Sequence, residues 1–474
     1  MTTPRTLSVT VPAPNEAARR YVVDIVLNRW FGLSSPDLLS VVVDPDATET
    51  IIKLVGHEGE VRIADVVLSR DLDDVSALRN YQASAKVDLG LVGPALCEVA
   101  DVPVLFGDIP QSGIPATSPL DGAEGVSINV DLFGTIFALL TGLEDRFIPE
   151  RDGHGRVPMV ASLLHRRGLT ERPVVDELAE VLWAAMANQW PGLTPTRRQG
   201  SVRVTQDVDR MGKFGRSSLA DIALSTAAGA RRGGKAEAVS TLKTAIGVRS
   251  KGRHTDPHYN FDRFMDIVEG HGHQAGFYFI CRFNAHDGTR LGSYSLEDPF
   301  VIDLIRTIGR RGHQMGVHPG YQSHLDIAAL RADAAALRSV WRAADVEPMP
   351  VGGRHHYLRW DTHLSPACWQ AAGLTHDSSL GYAEDFGFRV GTSKPFPLWD
   401  HQTSQATTVD ERPLIFMDAA APGLGYQFGD DELANRLKGL RDTCTTYNGD
   451  FTILVHNEDF SHPGAQDLLT AILS

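Results

Sequence analysis

Four short segments of this chain place carboxylates, a guanidinium or imidazoles where an apolar run ends. The run Val202-Arg203-Val204-Thr205-Gln206-Asp207-Val208-Asp209 alternates β-branched residues, so the two-residue period of a strand sets Asp207 and Asp209 on one side. Gly316-Val317-His318-Pro319-Gly320 delivers an imidazole into a Pro/Gly turn, Gly353-Arg354-His355-His356 follows a glycine with a guanidinium and two imidazoles, and Ile453-Leu454-Val455-His456 ends a buried-strand pattern on another. Carboxylates and imidazoles are the donors that hold a divalent metal or move a proton. α/β folds gather such groups at the carboxyl ends of parallel strands. Each segment alone reads as an ordinary polar residue closing a strand; the four together imply a site.

The elements that must position them follow from the pattern of the chain. Residues 1–195 read as a smaller mixed α/β domain of unknown function. Its strand candidates are Leu39–Val43, Ile51–Leu54 and Val61–Leu68, with helical periodicity over Leu132–Thr141 and Val174–Gln189. Pro191-Gly192-Leu193-Thr194-Pro195 breaks the last helix and opens the linker. Over residues 196–474 strand and helix patterns alternate, which calls for a parallel sheet with helical crossovers.

In chain order the strand ends read Asp, His, Arg-x-His and Leu-x-His, and this order resembles the NodB-homology polysaccharide deacetylases, carbohydrate esterase family 4. The resemblance extends to Phe261-Asp262-Arg263-Phe264-Met265-Asp266-Ile267-Val268 with Gln274-Ala275-Gly276-Phe277-Tyr278-Phe279, and to Ile302–Gly309 leading into Gly312-His313. Asp377-Ser378-Ser379-Leu380-Gly381-Tyr382 and Gly387-Phe388-Arg389-Val390-Gly391-Thr392 resemble a divergent bacterial branch that carries an extra amino-terminal domain. Asp131-Leu132-Phe133-Gly134, Asp152-Gly153-His154-Gly155-Arg156 and Arg172-Pro173-Val174-Val175-Asp176-Glu177 look like signatures of that domain. The fold this implies for the second half is a distorted (β/α) barrel of fewer than eight strands.

The resemblance also implies roles. Asp207 matches the base, Asp209 a metal ligand, and these two could be exchanged, because Val208 stands where the family has its second aspartate. His318 matches the first metal histidine. The family's next histidine falls on Gln322, a poor zinc ligand. His356, His324 or His355 is left to complete the set, with His356 preferred because it replaces a proline of the third motif. Arg354 matches the arginine that pairs with the catalytic carboxylate. His456 matches the histidine that protonates the leaving nitrogen. Asp377 resembles the carboxylate that orients that histidine, and equally fits a turn before Ser378-Ser379.

Composition narrows the class. With 474 residues, 42% hydrophobic and 22% charged, the chain holds material for two cores. A formal charge of -14 argues against a general nucleic-acid binder. Cys97, Cys281, Cys368 and Cys444 form no CxxC pair, which points to a reducing compartment and no cysteine zinc site. No run is long enough to span a membrane and no apolar segment follows Met1-Thr2-Thr3-Pro4, so a cytoplasmic location is expected. Residues 230–254 reverse the local charge, with Arg231, Arg232, Lys235, Lys243, Arg249, Lys251 and Arg253 against Glu237 alone. They are either a solvated face or a flap that attracts an anionic part of a substrate.

The resulting expectation is a hydrolase with one divalent metal, zinc by default and cobalt, manganese or nickel fitting the same donors. It would remove an N-acyl group, acetyl first, from an amino sugar or sugar-like small molecule. Two rivals differ in class: a metal-independent amidohydrolase or lyase, and an inactive carbohydrate-binding member of the superfamily.

Overall fold

The computed structural model describes residues 6–33, 39–74, 103, 105, 117–120, 124–214, 219–283 and 294–474. Cys97 and His286 lie outside them. The first strands are β1 (Leu7–Pro12), β2 (Leu39–Asp44), β3 (Thr50–Leu54), β4 (Glu60–Ile63), β5 (Thr117–Pro119) and β6 (Gly125–Ile128). They form a mixed sheet in the order β2-β1-β3-β4-β6-β5. The expected strand over Val61–Leu68 stops at Ile63 because the backbone N–H groups of Val66 and Val67 donate to the buried Asp131 carboxylate, at 2.9 and 2.6 Å, instead of to a neighbouring strand. Asp131 also caps the helix Leu132–Leu140 by accepting from Gly134 N.

The second half contributes β7 (Val202–Val208), β8 (Ala275–Phe279), β9 (Gln314–Val317), β10 (His376–Asp377), β11 (Phe396–Asp400), β12 (Gln405–Glu411), β13 (Phe416–Met417) and β14 (Phe451–Leu454). A five-stranded sheet in the order β13-β14-β7-β8-β9 is parallel throughout, and a three-stranded sheet runs β10-β12-β11. Single parallel bridges from Val317 to Gly353 and from Gly353 to Asp377 link the two sheets. Among the described residues the regular ladders make a mixed α/β fold with a parallel sheet that continues through the Gly353 bridges from β13 to β10, without closing into a barrel. Gly353 is required at the bridge: a Cβ there would lie 1.8 Å from the Val317 carbonyl oxygen. That close approach lets the next residue, Arg354, enter the concave face.

One hydrophobic cluster runs through both halves. Within it the helix Val174–Gln189 is buried on nearly every face and packs against β4, β6 and residues 391–394. Burial on all sides forces its acids to find partners: Asp176 meets Lys394 at 3.1 Å and Thr392 Oγ1 at 2.8 Å, and Glu180 takes both terminal nitrogens of Arg197. Tyr21 adds to the same seam, donating to Pro397 O at 2.7 Å while its ring packs 5.0 Å from Trp399.

Candidate active site

The side chains at the ends of β7, β9 and β14, and after Gly353, converge. Asp207, the inward residue at the end of β7, is 1% exposed and accepts from Arg354 Nη1 at 2.9 Å. The guanidinium is fully buried and held at every nitrogen. Nη1 also donates to Thr205 Oγ1, Nε to Ser378 O and Nη2 to Ser378 Oγ, at 3.0, 2.8 and 2.9 Å. Thr205 Oγ1 can accept because its own proton goes to Ile453 O, at 2.7 Å. Arg354 thus ties β7 to the strand end that follows Gly353, and Asp207 cannot rotate away from it without leaving a buried charge unpaired.

Beside this pair lies a second cluster. His318 Nδ1 sits 2.7 Å from Arg354 O, and a carbonyl can only accept, so Nδ1 carries the proton. The other ring nitrogen, Nε2, then carries a lone pair, and it lies 3.2 Å from Asp209 Oδ1. Both atoms are buried and neither has a hydrogen-bond partner. Two electron-rich atoms buried this close repel each other unless a proton or a metal cation bridges them. His356 completes the arrangement, with Nε2 3.6 Å from Asp209 Oδ2 and its ring 4.9 Å from that of His318. One donor atom from each of Asp209, His318 and His356 falls within 4.8 Å of the others. The donor set fits a divalent metal.

The alternatives for the third ligand point elsewhere. His355 Nε2 accepts from Trp369 Nε1 at 2.6 Å, and burial, followed by the fields of His324 and His318, pushes its pKa well below the usual value. It is a packed neutral ring. His324 lies beside it, ring centroids 6.3 Å apart, with a pKa lowered to about 4 chiefly by burial. Gln322, at the family's usual second-histidine position, is exposed.

His456 lies just beyond β14, and its partner is not Asp377. Asp418, at the end of β13, accepts from His456 Nδ1 and from its backbone N, each at 2.6 Å. Burial would lower the imidazole pKa; the Asp418 carboxylate, with Asp209 and Asp207 behind it, outweighs that and holds it well above the ordinary value. Asp418, His456 and Asp459 also converge within 4.8 Å. There, however, the close contact is a hydrogen-bonded ion pair, not two facing acceptors.

Asp377, expected to orient His456, instead accepts from Ser379 N and Ser379 Oγ at 2.8 and 2.7 Å. Its carboxyl and that of Glu411 are buried together, and burial, then their mutual repulsion, raises Glu411 well above the carboxylate range. The reason is topological: β10 lies across the arc from β14, with β9, β8 and β7 between them. Asp377 braces the backbone behind Arg354 and His355, whose N donates to Ser379 Oγ at 2.9 Å. Asp418 was legible in principle, since Leu414-Ile415-Phe416-Met417-Asp418 is another apolar run ending on a carboxylate.

Sequence reasoning also missed a wall built from the first half of the chain. In Asp152-Gly153-His154-Gly155-Arg156, Asp152 Oδ1 accepts from the N–H groups of His154 and Arg156, closing a tight loop. Arg156 Nη1 donates to Tyr357 O at 2.7 Å, and the His154 ring stacks on Tyr357 at 4.5 Å and 20°. Tyr357 and Leu358 have φ of 60° and 51°, a conformation side chains resist. Arg359 ties the other side, from Nε to His154 O at 3.0 Å, with its guanidinium 4.1 Å over Tyr321. The loop therefore clamps the backbone immediately after His356.

The basic segment is also placed. Arg253 is committed to Asp298 at 2.8 Å and stacks 4.0 Å over Phe300, so it belongs to the scaffold. The rest lies in the helix Leu219–Lys251.

Residues 7–191 match a family described as a family of unknown function, DUF7033. No curated protein matches the chain. Among solved structures, one described as a polysaccharide deacetylase from Mycobacterium smegmatis is similar at 16% identity and a TM-score of 0.35, covering 59% of this chain and 85% of that one. An allantoinase, Puue, is similar at 12% identity and a TM-score of 0.34, covering 56% and 82%. The chemistry rests on the geometry of the site itself.

Proposed function

We propose that this chain is a metal-dependent amidohydrolase that removes an N-acyl group, acetyl in the first instance, from an amino sugar or sugar-like small molecule. In this reading residues 196–474 form a distorted, deacetylase-like barrel and residues 1–195 a domain that braces it. The observation that carries the reading is the pair of buried, unpartnered acceptors, His318 Nε2 and Asp209 Oδ1, 3.2 Å apart. They lie beside one fixed carboxylate and near one fixed imidazole.

Asp209, His318 and His356 would hold the metal, with zinc the default and cobalt, manganese or nickel suited to the same donors. Such an ion supplies Lewis-acid polarisation of the amide carbonyl and lowers the pKa of water. Asp207, locked by Arg354 Nη1, has one oxygen committed to that bond and takes the proton of the attacking water on its carboxylate. His456 has Nδ1 engaged by Asp418, which leaves Nε2 as the acid for the departing amine. Asp418 stabilises the imidazolium before transfer and fixes the ring's direction. Arg354 positions and neutralises without touching the proton path.

Protein purified without chelator should carry one equivalent of a divalent metal by elemental analysis and release acetate from N-acetylated sugars. His318→Ala should lose both. Metal-free protein that is fully active in EDTA would refute the metal, and absence of acetate release across a broad panel from metal-loaded protein would refute the substrate class.

A further inference from the structure

The helix Leu219–Lys251 is not one rod. Gly233 (φ -125°, ψ 18°) and Gly234 (φ 68°, ψ -156°) break it into two arms. The arms run antiparallel: Ile222 packs with Ala245, Val248 and Phe214, and the Cα of Gly229 comes so close to the other arm that a Cβ would lie 3.1 Å from Thr241 Oγ1. Only this narrow seam is buried. The outer faces expose Leu219, Leu224, Val239, Leu242 and Ile246, half of the large apolar side chains that the described residues expose. Leu219 and Leu224 are 73% and 69% exposed. Ala220, Ala223, Ala227 and Ala230 extend the stripe on the first arm at helical spacing. The same two arms carry Arg231, Lys235, Lys243, Arg249 and Lys251 against Asp221 and Glu237, in a chain whose formal charge is -14.

Both feet of this hairpin are tied to the site. Asn457, the residue after His456, donates from Nδ2 to Arg210 O and His258 O at 2.7 and 2.8 Å, and accepts on its own carbonyl from Asn260 Nδ2 at 2.7 Å. Asp256 closes the base, accepting from Lys213 N and Phe214 N at 2.7 Å each. The hairpin therefore projects from the same end of the parallel sheet as Asp207, Asp209 and His456.

We propose that the hairpin docks on an anionic lipid surface and holds the mouth of the site against it. Exposed apolar side chains on a helix rich in lysine and arginine fit a helix lying in a lipid interface, where cations meet headgroups and aliphatic side chains enter the acyl boundary. A second copy of the chain is disfavoured as the occupant, because pairing the stripe with itself would set two rows of cations edge to edge. Resting on the proposed hydrolase activity, the inference selects among its substrates: N-acylated sugars carried on a lipid anchor, which reach the site along the membrane plane.

The test uses the full purified chain and vesicles of phosphatidylcholine, with or without phosphatidylglycerol. Wild type should sediment with the anionic vesicles, at least about tenfold more strongly than with neutral ones, and high salt should release it. The variant Leu224→Ser/Val239→Ser/Ile246→Ser and the variant Arg231→Ser/Lys235→Ser/Lys243→Ser should each lose most of this binding. Both should keep wild-type circular dichroism and wild-type activity on a soluble N-acetyl sugar. No sedimentation at low salt, or unchanged binding by the apolar variant, overturns the proposal. A concentration-dependent dimer that the apolar variant abolishes also overturns it, by assigning the face to a second copy. Vesicle binding needs no turnover, so an inactive protein that still sediments would refute the proposed activity and leave the docking surface standing.

Discussion

Replacing Asp418 by Asn tests the proton-donor half of the site. The carboxylate accepts from His456 Nδ1 and from the His456 backbone N, each at 2.6 Å, and it is 1% exposed. Asn keeps the shape, loses the charge, and leaves one of the two N–H groups without an acceptor. A hydrogen bond to a buried charged group contributes roughly 1.5–3 kcal/mol. At about 1.4 kcal/mol per pKa unit, its loss moves the imidazole down by about 1–2 units. In the wild type the His456 pKa is raised well above its ordinary value, so the acid form persists through neutral pH and is lost only as pH rises through that raised value. The variant should lose it earlier. The basic limb of the pH profile of kcat/KM on an N-acetyl amino sugar should move down by about 1–2 units, which lowers the rate by roughly tenfold to a hundredfold on the basic side of the wild-type limb and much less on the acid side of the variant's. Thermal stability gives an independent readout. The pair stabilises the fold fully below the unfolded histidine pKa of about 6.5, and this contribution disappears as pH rises through the folded value. The variant's deficit in Tm should therefore be largest at acidic pH and shrink as pH rises. A pH-independent loss of rate, or a basic limb that stays in place, would refute the assignment of His456 as the acid.

Asp207→Asn should cut turnover on the order of a hundredfold or more while metal content by elemental analysis stays near one equivalent; if the metal disappears instead, Asp207 and Asp209 have exchanged roles. Glu411→Gln removes a buried carboxyl whose raised pKa favours the fold only while it is protonated, so stability that the wild type loses as pH rises should be retained by the variant. Its Tm should match wild type near pH 4 and exceed it increasingly towards pH 9, and a gap that does not widen with pH counts against the buried carboxyl pair. Arg156→Ala releases the Tyr357 carbonyl and the left-handed turn after His356. Metal affinity, titrated with cobalt by visible absorption, should weaken and KM should rise more than kcat falls, whereas Arg156→Lys should restore part of both; unchanged affinity and KM would reduce the clamp to a scaffold contact.

The sequence by itself determined the pieces whose signal is local. Alternation over Val202–Val208, the β-branched run ending at His456 and the helical period over Val174–Gln189 all depend on neighbours along the chain, and each element lies where its pattern placed it. Strand polarity then put Asp207, Asp209, His318 and Arg354 at one end of a parallel sheet, because helical crossovers return the chain so that β7, β8, β9 and β14 run the same way. Pairings across the sheet could not be read this way. That Asp418 and not Asp377 holds His456 depends on which strands are neighbours, and β13 adjoins β14 while β10 lies at the other end of the arc. That His356 faces Asp209 while His355 packs against Trp369 depends on two residues with positive φ, held there by an arginine about 200 positions earlier in the chain. A run of small and basic residues likewise carries no sign of whether its apolar face is covered. Only the break at Gly233-Gly234 and the narrow seam it creates decide that Leu224, Val239 and Ile246 meet solvent. Local preference acts over a few residues, whereas facing atoms, shared burial and exposed faces are set by segments hundreds of residues apart, and only the folded chain brings those together.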